Sequence, residues 1–407
     1  MSKNLVVKFG GSCLSSPKNI NLAAKKIMNE TKKGGNIVVV VSALSGVTDN
    51  LLKTAQEASL NKLSKEELDE ILSMGERTAT RLMVAALKSL GLKVIGLDPA
   101  DKLWPIYTNS EYGNAEVDLK KTVKAVRKNI RPLLEEGYVI VVPGFVGLSP
   151  EGKVTTLGRG GSDITAVVLG RSLGFEEVVF VKDVGGVLSA DPKMVSTPTK
   201  IDMLDAEEMF SLSSAGAKVL HPRALKYATN NLTLRVVGFE EDLSEGTVIK
   251  GELGTGLKVS LHPHPVSMLT VVGKEVSTPE NLLKIFSEAL PLKTKILGLT
   301  LTSPSLLLYV ENPSKLIKNL HDLIKTQKIA KAIHGFESLA LITVSGHELE
   351  KVPGVIDSVV APLAKQNINL YGLLTISSSI RVFVRWNDRE KAFSLIKENL
   401  AKTGVLV

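Results

Sequence analysis

The spacing of apolar and polar positions divides this chain into two parts of different character. Up to about residue 250, short runs rich in Val and Ile alternate with longer stretches of helical periodicity. Leu5–Phe9, Asn36–Ser42, Lys93–Leu97, Tyr138–Pro143 and Glu177–Lys182 read as strands, mostly without polar alternation. A strand lacking that alternation is buried on both faces, which predicts a parallel sheet covered by helices. Ser64 and Glu67 form a capping box for one intervening helix, and Gly91 marks its stop. This strand–helix alternation predicts an α/β sandwich.

The rhythm changes near residue 255. The segment GELGTGLKVSLHPHP is rich in Gly and Pro and reads as a loop. A β-α-β-β-α pattern then runs from Met268 to about Thr326. A second runs from Leu339 through a helix after Pro353, strands over Asn369–Ile376 and Ile380–Arg385, and a helix near Asp388–Leu400. Two such units in succession predict paired ferredoxin-like (α+β) modules. The expected organisation is residues 1–255, a linker at 256–265, a first module at 266–330 and a second at 331–407.

Composition narrows the class. With 44% hydrophobic and 23% charged residues, the 407-residue chain has ample material for packed cores. A single cysteine, Cys13, excludes a disulfide framework and a cysteine-rich zinc site. The opening MSKNLVVKFGGS has too short an apolar run for a signal peptide, and no run approaches the ~20 residues that span a bilayer. These features predict a soluble, cytoplasmic protein with no membrane partner. The net charge of +8 is spread along the chain and aromatics are only 4%, so it predicts solvated faces and anionic substrates, not nucleic acid.

Two glycine clusters carry the candidate chemistry. In Lys8-Phe9-Gly10-Gly11-Ser12 a strand ends in a cation and runs into residues whose missing Cβ atoms let backbone N–H groups approach an anion. Thr156-Leu157-Gly158-Arg159-Gly160-Gly161-Ser162-Asp163 precedes the helical pattern Ile164–Leu173. Its amides again suit an anion, and Arg159 can grip a carboxylate or phosphate with two parallel hydrogen bonds. Asp163 also suits a plain helix cap. Neither cluster is a Walker A loop or a dinucleotide-binding fingerprint.

Together with Val39–Leu51 (VVVSALSGVTDNL), Gly75-Glu76-Arg77, Ile106–Glu116 (IYTNSEYGNAE), Thr155–Thr165 (TTLGRGGSDIT), Ser189–Lys193 (SADPK) and Ala215–Pro222 (AGAKVLHP), these clusters form an ordered set. The set resembles the aspartokinases of the amino-acid kinase family, and the C-terminal modules resemble ACT regulatory domains. The resemblance spans essentially the whole chain. It implies an amino-acid kinase sandwich followed by two ACT domains, with ATP as co-substrate, Mg²⁺ as cofactor, L-aspartate as phosphoryl acceptor and no protein-held metal.

Site roles follow from the same resemblance. Lys8 and Asp163 would be catalytic, and Lys8, Gly10, Gly11, Ser12, Gly160 and Gly161 would cradle phosphate. Thr48, Glu76, Arg159 and Ser162 would bind aspartate. Lys182, Asp183, Leu188, Lys193 and Lys218 would line the nucleotide site, although many relatives have Thr and Tyr at the positions of Lys182 and Leu188. An amino-acid effector, lysine or threonine, would bind near Val352, Pro353, Gly354, Val355 and Asn369, with Asn369 on a strand facing a helix start. The first module lacks the corresponding Pro-Gly turn, and the strand at Ser377–Arg381 lacks the glutamate of relatives. A homodimer or dimer of dimers is implied. The chemistry agrees with these roles: Glu76 suits an ammonium, Arg159 an α-carboxylate, and the remaining carboxylate is already a nucleophile that needs no general base.

Cys13 and His221 are expected in structural roles, and His262 and His264 are not expected to hold a metal. Acetylglutamate, glutamate 5- and uridylate kinases are the nearest alternatives, sharing the phosphate glycines but not Glu76 with paired ACT modules. A catalytically silent amino-acid sensor is a further alternative, disfavoured because Lys8, Arg159 and Asp163 are all present.

Overall fold

A computed structural model describes residues 3–254, 256–346, 349, 353–376 and 378–402. They form two compact units, Met1–Leu253 and Gly254–Val407. The strands of the first unit, in chain order, are β1 (Leu5–Phe9), β2 (Ile37–Val41), β3 (Val94–Gly96), β4 (Val139–Pro143), the hairpin β5 (Val146–Leu148) and β6 (Val154–Thr156), and β7 (Glu177–Lys182). There follow the pair β8 (Val187–Leu188) and β9 (Lys200–Ile201), then β10 (Met203–Asp205), β11 (Thr233–Gly238) and β12 (Thr247–Lys250). Its helices are α1 (Pro17–Lys32), α2 (Val47–Ala58), α3 (Lys65–Ser89), α4 (Leu119–Ala125), α5 (Arg131–Glu135), α6 (Gly161–Leu173), α7 (Ala206–Ser214) and α8 (Pro222–Leu225).

Eight strands make one sheet in the order β10-β12-β11-β7-β1-β2-β4-β3. It is parallel from β11 to β3 and antiparallel only where β12 meets β11. The strands expected from unbroken Val/Ile runs are all present, and β1, β2 and β4 are buried along their whole length. Because successive strand residues point to opposite faces, Val6, Val38, Ile140 and Phe180 join one core beside α6. Val7, Val39, Val141 and Val181 join the other, with apolar positions of α1 and α3. In α6 every residue but Arg171 is buried, so this helix is an internal layer of the first core. The capping box forms as expected: Ser64 Oγ accepts from the Glu67 N–H, and Glu67 accepts from the Ser64 N–H.

Strand β1 lies between β2 and β7, and the chain leaves β1 toward β2 on one side but continues from β7 toward β11 on the other. Open α/β sheets bind ligands at the carboxyl ends of strands where the order switches in this way. The first glycine cluster sits at that end of β1.

The second unit contains β13 (Lys258–Leu261), β14 (Val266–Val272), β15 (Ile296–Thr302), β16 (Ser305–Val310), β17 (Ala332–Ser345), β18 (Gly372–Ile376) and β19 (Ser379–Arg385). Its helices are α9 (Pro279–Ala289), α10 (Ser314–Gln327), α11 (Val355–Ala364) and α12 (Arg389–Lys402). One antiparallel sheet runs β15-β16-β14-β17-β19-β18, and β13 also pairs with β17. The sheet contains two ferredoxin-like strand sets that share β17.

This arrangement corrects two expectations. Residues 258–261, expected within a linker, form β13 and supply the fourth strand of the second module, where Val259 packs into that module's core. The alternation in Lys-Val-Ser-Leu gives the strand one apolar edge to bury. Asn369, expected on a strand, is exposed in the loop before β18. The turn of Pro353 and Gly354 leads into α11, with Gly354 as its left-handed N-cap and Val355 buried. Val352 and Ser377 lie outside the described residues. Among the described residues no helix is long and apolar enough to cross a membrane.

Candidate active site

Lys8 lies on the α6 side of β1, sharing that face with Val6, and is only 5% exposed. A buried ammonium requires an anion, and Asp163 provides it: Lys8 Nζ lies 2.7 Å from Asp163 Oδ1. The second oxygen of Asp163 lies 3.5 Å from Lys182 Nζ at the end of β7 and accepts from the His221 N–H at 3.4 Å. Burial opposes ionisation of Asp163, but the charges of Lys8 and Lys182 and these hydrogen bonds prevail and hold its pKa at about 2. The capping role considered for Asp163 is therefore not what is observed. The N-cap of α6 is Gly160, without a side-chain cap.

Glycine is required at several points here. Gly158 and Gly160 have φ of 70° and 74°, left-handed values that other residues rarely adopt. A Cβ on Gly160 would also collide with the His221 side chain, and one on Gly11 would lie 2.6 Å from the Ala43 carbonyl oxygen. His221 caps α8, its Nδ1 accepting from the Arg223 N–H, which fits the structural role expected for it. Cys13 is buried with Sγ donating to the Val181 carbonyl, and burial pushes its thiol pKa up.

Glu76 projects from the middle of α3 and is 4% exposed. One oxygen accepts from the Ala43 N–H at 3.1 Å, and the other is buried with no hydrogen-bond partner among the described residues. Burial raises its pKa to about 7 against the opposing effects of backbone hydrogen bonds and the charge of Lys8. Thr48 is half-buried in the first turn of α2, and Ser162 is buried in the first turn of α6. Arg159 is exposed between the two left-handed glycines and makes no ion pair among the described residues.

Lys8, Gly10, Gly11, Asp163 and Lys182 thus converge at the ends of β1 and β7, where the Gly10 N–H donates to the Val181 carbonyl. Asp183 and Ser12 are exposed beside them in sequence, and Leu188 is half-buried on β8. Lys193 and Lys218 are exposed, and no ion pair brings either to this cluster among the described residues.

Sequence reasoning missed the residues that fix the second glycine cluster. Asp69 of α3 is 1% exposed. It accepts from the Thr156 N–H (2.8 Å), the Thr156 hydroxyl (2.7 Å) and the Gly113 N–H (2.9 Å). Arg223 donates to Asn114 Oδ1 and to the Leu157 carbonyl. A carboxylate inside an amphipathic helix reads as solvent-facing, and its partners are distant in sequence, so no local signal marks it.

The family model described as the amino acid kinase family matches residues 3–238. An aspartokinase from Geobacillus stearothermophilus is 33% identical over 387 residues, covering 90% of this chain and 89% of that protein. The crystal structure of aspartate kinase from Synechocystis aligns over 98% of this chain and 69% of its own, with a TM-score of 0.78 and 24% identity. Escherichia coli aspartokinase III in complex with aspartate and ADP aligns over 98% and 100%, with a TM-score of 0.58 and 23% identity. The same protein with lysine and aspartate aligns over 98% and 99%, at 0.55 and 22%. Family match, near full-length relatives and shared fold agree, and the chain belongs to the aspartokinases of the amino-acid kinase family, kinases that phosphorylate aspartate.

Proposed function

We propose that the enzyme transfers the γ-phosphoryl of MgATP to the β-carboxylate of L-aspartate, giving 4-phospho-L-aspartate and ADP. This is the first step toward lysine, threonine, methionine and isoleucine. The observation that carries the reading is the orphaned oxygen of Glu76. A buried carboxylate oxygen left without a partner is costly, and a substrate ammonium removes the cost while leaving the far carboxylate free to react. Arg159, which makes no ion pair among the described residues and is displayed by two left-handed glycines, takes the α-carboxylate, and Thr48 and Ser162 complete the aspartate site. The aspartate–ADP complex of Escherichia coli aspartokinase III supports the substrate pair.

In this reading the β-carboxylate oxygen attacks Pγ as the bond from Pγ to the β-phosphate oxygen breaks, leaving its electron pair on ADP. Lys8 and the amides of Gly10, Gly11, Gly160 and Gly161 neutralise charge on the transferring group, assisted by Ser12. Asp163 holds Lys8 in place. Asp183, Leu188, Lys193 and Lys218 belong to the nucleotide side. Among the described residues no group of three or more His, Cys, Asp or Glu side chains could hold a metal. Mg²⁺ would enter with the nucleotide and supply counter-charge for its triphosphate.

The test is aspartate-dependent ADP release with hydroxylamine trapping the acyl phosphate as aspartyl hydroxamate. Glutamate, one methylene longer, should react poorly because fixing its α-groups carries its carboxylate past Pγ. Equal use of glutamate, or ADP release without aspartate, refutes the reading.

The C-terminal unit is proposed as a regulatory, dimer-forming pair of ACT domains, a reading supported by the lysine complex of Escherichia coli aspartokinase III. Edge strands β15 and β18 are ends that a second copy would cover. Lysine or threonine would bind beside Pro353, Gly354 and Val355, its carboxylate on the first amides of α11. Calorimetry with each amino acid should show binding that weakens when aspartate is present, and sedimentation should give a dimer or dimer of dimers. No heat from either amino acid refutes the effector role, and a monomer refutes the pairing.

A further inference from the structure

We propose that Lys182 is a second phosphoryl-contacting cation, held with Lys8 on the two oxygens of Asp163 and directed to the leaving β-phosphate of the nucleotide. This rests on the kinase reading above and adds to it a residue that sets how charge is distributed along the transferring group.

Two ammonium groups share one carboxylate: Lys8 Nζ at 2.7 Å from Asp163 Oδ1 and Lys182 Nζ at 3.5 Å from Oδ2. Lys8 and Asp163 are almost wholly enclosed, and the side chain of Lys182 is only 20% exposed. The cluster sets two ammonium groups against one carboxylate, an arrangement whose enclosed surroundings call for a further anion.

Position sets Lys182 beside the first glycine cluster. Strands β1 and β7 pair in parallel with Phe9 opposite Val181, so Lys182 follows directly beside Gly10 at the mouth of the glycine cradle. Lys8 therefore approaches the group in transfer from one strand and Lys182 from its neighbour. As the bond from Pγ to the bridging oxygen breaks, negative charge grows on the β-phosphate of ADP. A second ammonium there stabilises the transition state and product nucleotide more than the aspartate complex.

The titratable groups that face Lys182 are Lys8 on β1, Asp163 on α6 and Cys13 in the turn after β1. Burial and the charge of Lys8 bring its pKa below the ordinary lysine value, against the pull of Asp163. The active form should consequently be lost at high pH sooner than for an ordinary lysine.

Three forms of the full chain decide the matter: wild type, Lys182→Met and Lys182→Arg. Lys182→Met should lower kcat about a hundredfold, with the KM for aspartate unchanged. It should also weaken ADP, but not adenosine, by about tenfold in a fluorescence titration. Lys182→Arg should keep ADP affinity and move the alkaline limb of kcat upward, because a guanidinium does not deprotonate there. An unchanged kcat in Lys182→Met, equal ADP affinity in all three forms, or an alkaline limb that stays in place in Lys182→Arg overturns the proposal. A wild type without aspartate-dependent turnover would instead refute the kinase reading, and the ADP titration would still judge Lys182.

Discussion

Lys8→Met is expected to lower kcat a few hundredfold while the KM for aspartate stays nearly constant. Removing one preorganised contact to charge that develops in the transition state costs about 3–4 kcal/mol. Lys8 is proposed as such a contact: it is enclosed, 2.7 Å from Asp163 and next to the first glycine cluster. Arg159→Ala should show the opposite pattern, raising the KM for aspartate tenfold or more with little change in kcat, an order of magnitude suited to one charged hydrogen-bonded pair. An α-carboxylate is held equally before and during transfer, so its loss weakens uniform binding. Steady-state kinetics on both variants test the assignment, and exchanged patterns would mean that the two cations have the opposite roles. Lys8→Met also leaves Asp163 with only its more distant cation, so its thermal unfolding should occur at lower temperature than that of Arg159→Ala.

Glu76→Gln is expected to raise the KM for aspartate about a hundredfold and yet to stabilise the free protein at alkaline pH. The folded-state pKa of Glu76 is about 7, above its ordinary 4.5. Below pH 4.5 the group is protonated whether folded or unfolded, and it makes no pH-dependent contribution. Between 4.5 and 7 the folded state binds a proton that the unfolded state does not, so stability falls as pH rises. Above 7 both are ionised and the folded state carries the full penalty, about 3 kcal/mol at most. Glutamine never ionises and keeps an acceptor for the Ala43 N–H. Urea denaturation should therefore find the variant close to wild type at pH 5 and more stable by up to that amount at pH 8. A difference independent of pH would show that burial does not govern this carboxylate. Wild-type aspartate binding should weaken below pH 7 for the same reason, as the proton competes with the substrate ammonium.

The central sheet was legible because its strands are unbroken apolar runs: five residues of Ile and Val in β2 leave no polar face for solvent. The two glycine clusters were legible as backbone that excludes other side chains, and the structure shows why at Gly158 and Gly160, which turn left-handed, and at Gly11, which packs against the Ala43 carbonyl. Asp163 was ambiguous. At a helix start a carboxylate serves equally as cap or counterion, and only the neighbouring strands reveal two lysines in reach. Asp69 and Arg223 were invisible for a related reason. They hold the glycine cluster through partners such as Thr156 and Asn114, far away along the chain. The second unit was legible as a type of module but not in its strand membership. Four residues of modest alternation between glycines and prolines give β13 little local signal, and its partner β17 lies beyond an entire module.

That last arrangement bears on the order in which the chain is made. Lys258 of β13 pairs with Ser345, and Leu261 with Ile342. When β13 leaves the ribosome its partner does not yet exist, whereas β14, β15, β16 and the first half of β17 emerge as a self-sufficient set. The first module can therefore settle during synthesis, and β13 must wait until the second half of β17, at the far end of that module, has been made before it has a strand to join. Throughout that interval β13 is an unpaired strand, and Lys258 and Ser260 alternating with Val259 and Leu261 limit its value as a template for other chains. The finished second module then holds the first module between two of its own strands, so that the first becomes a long insertion whose closure cost grows only slowly with its length.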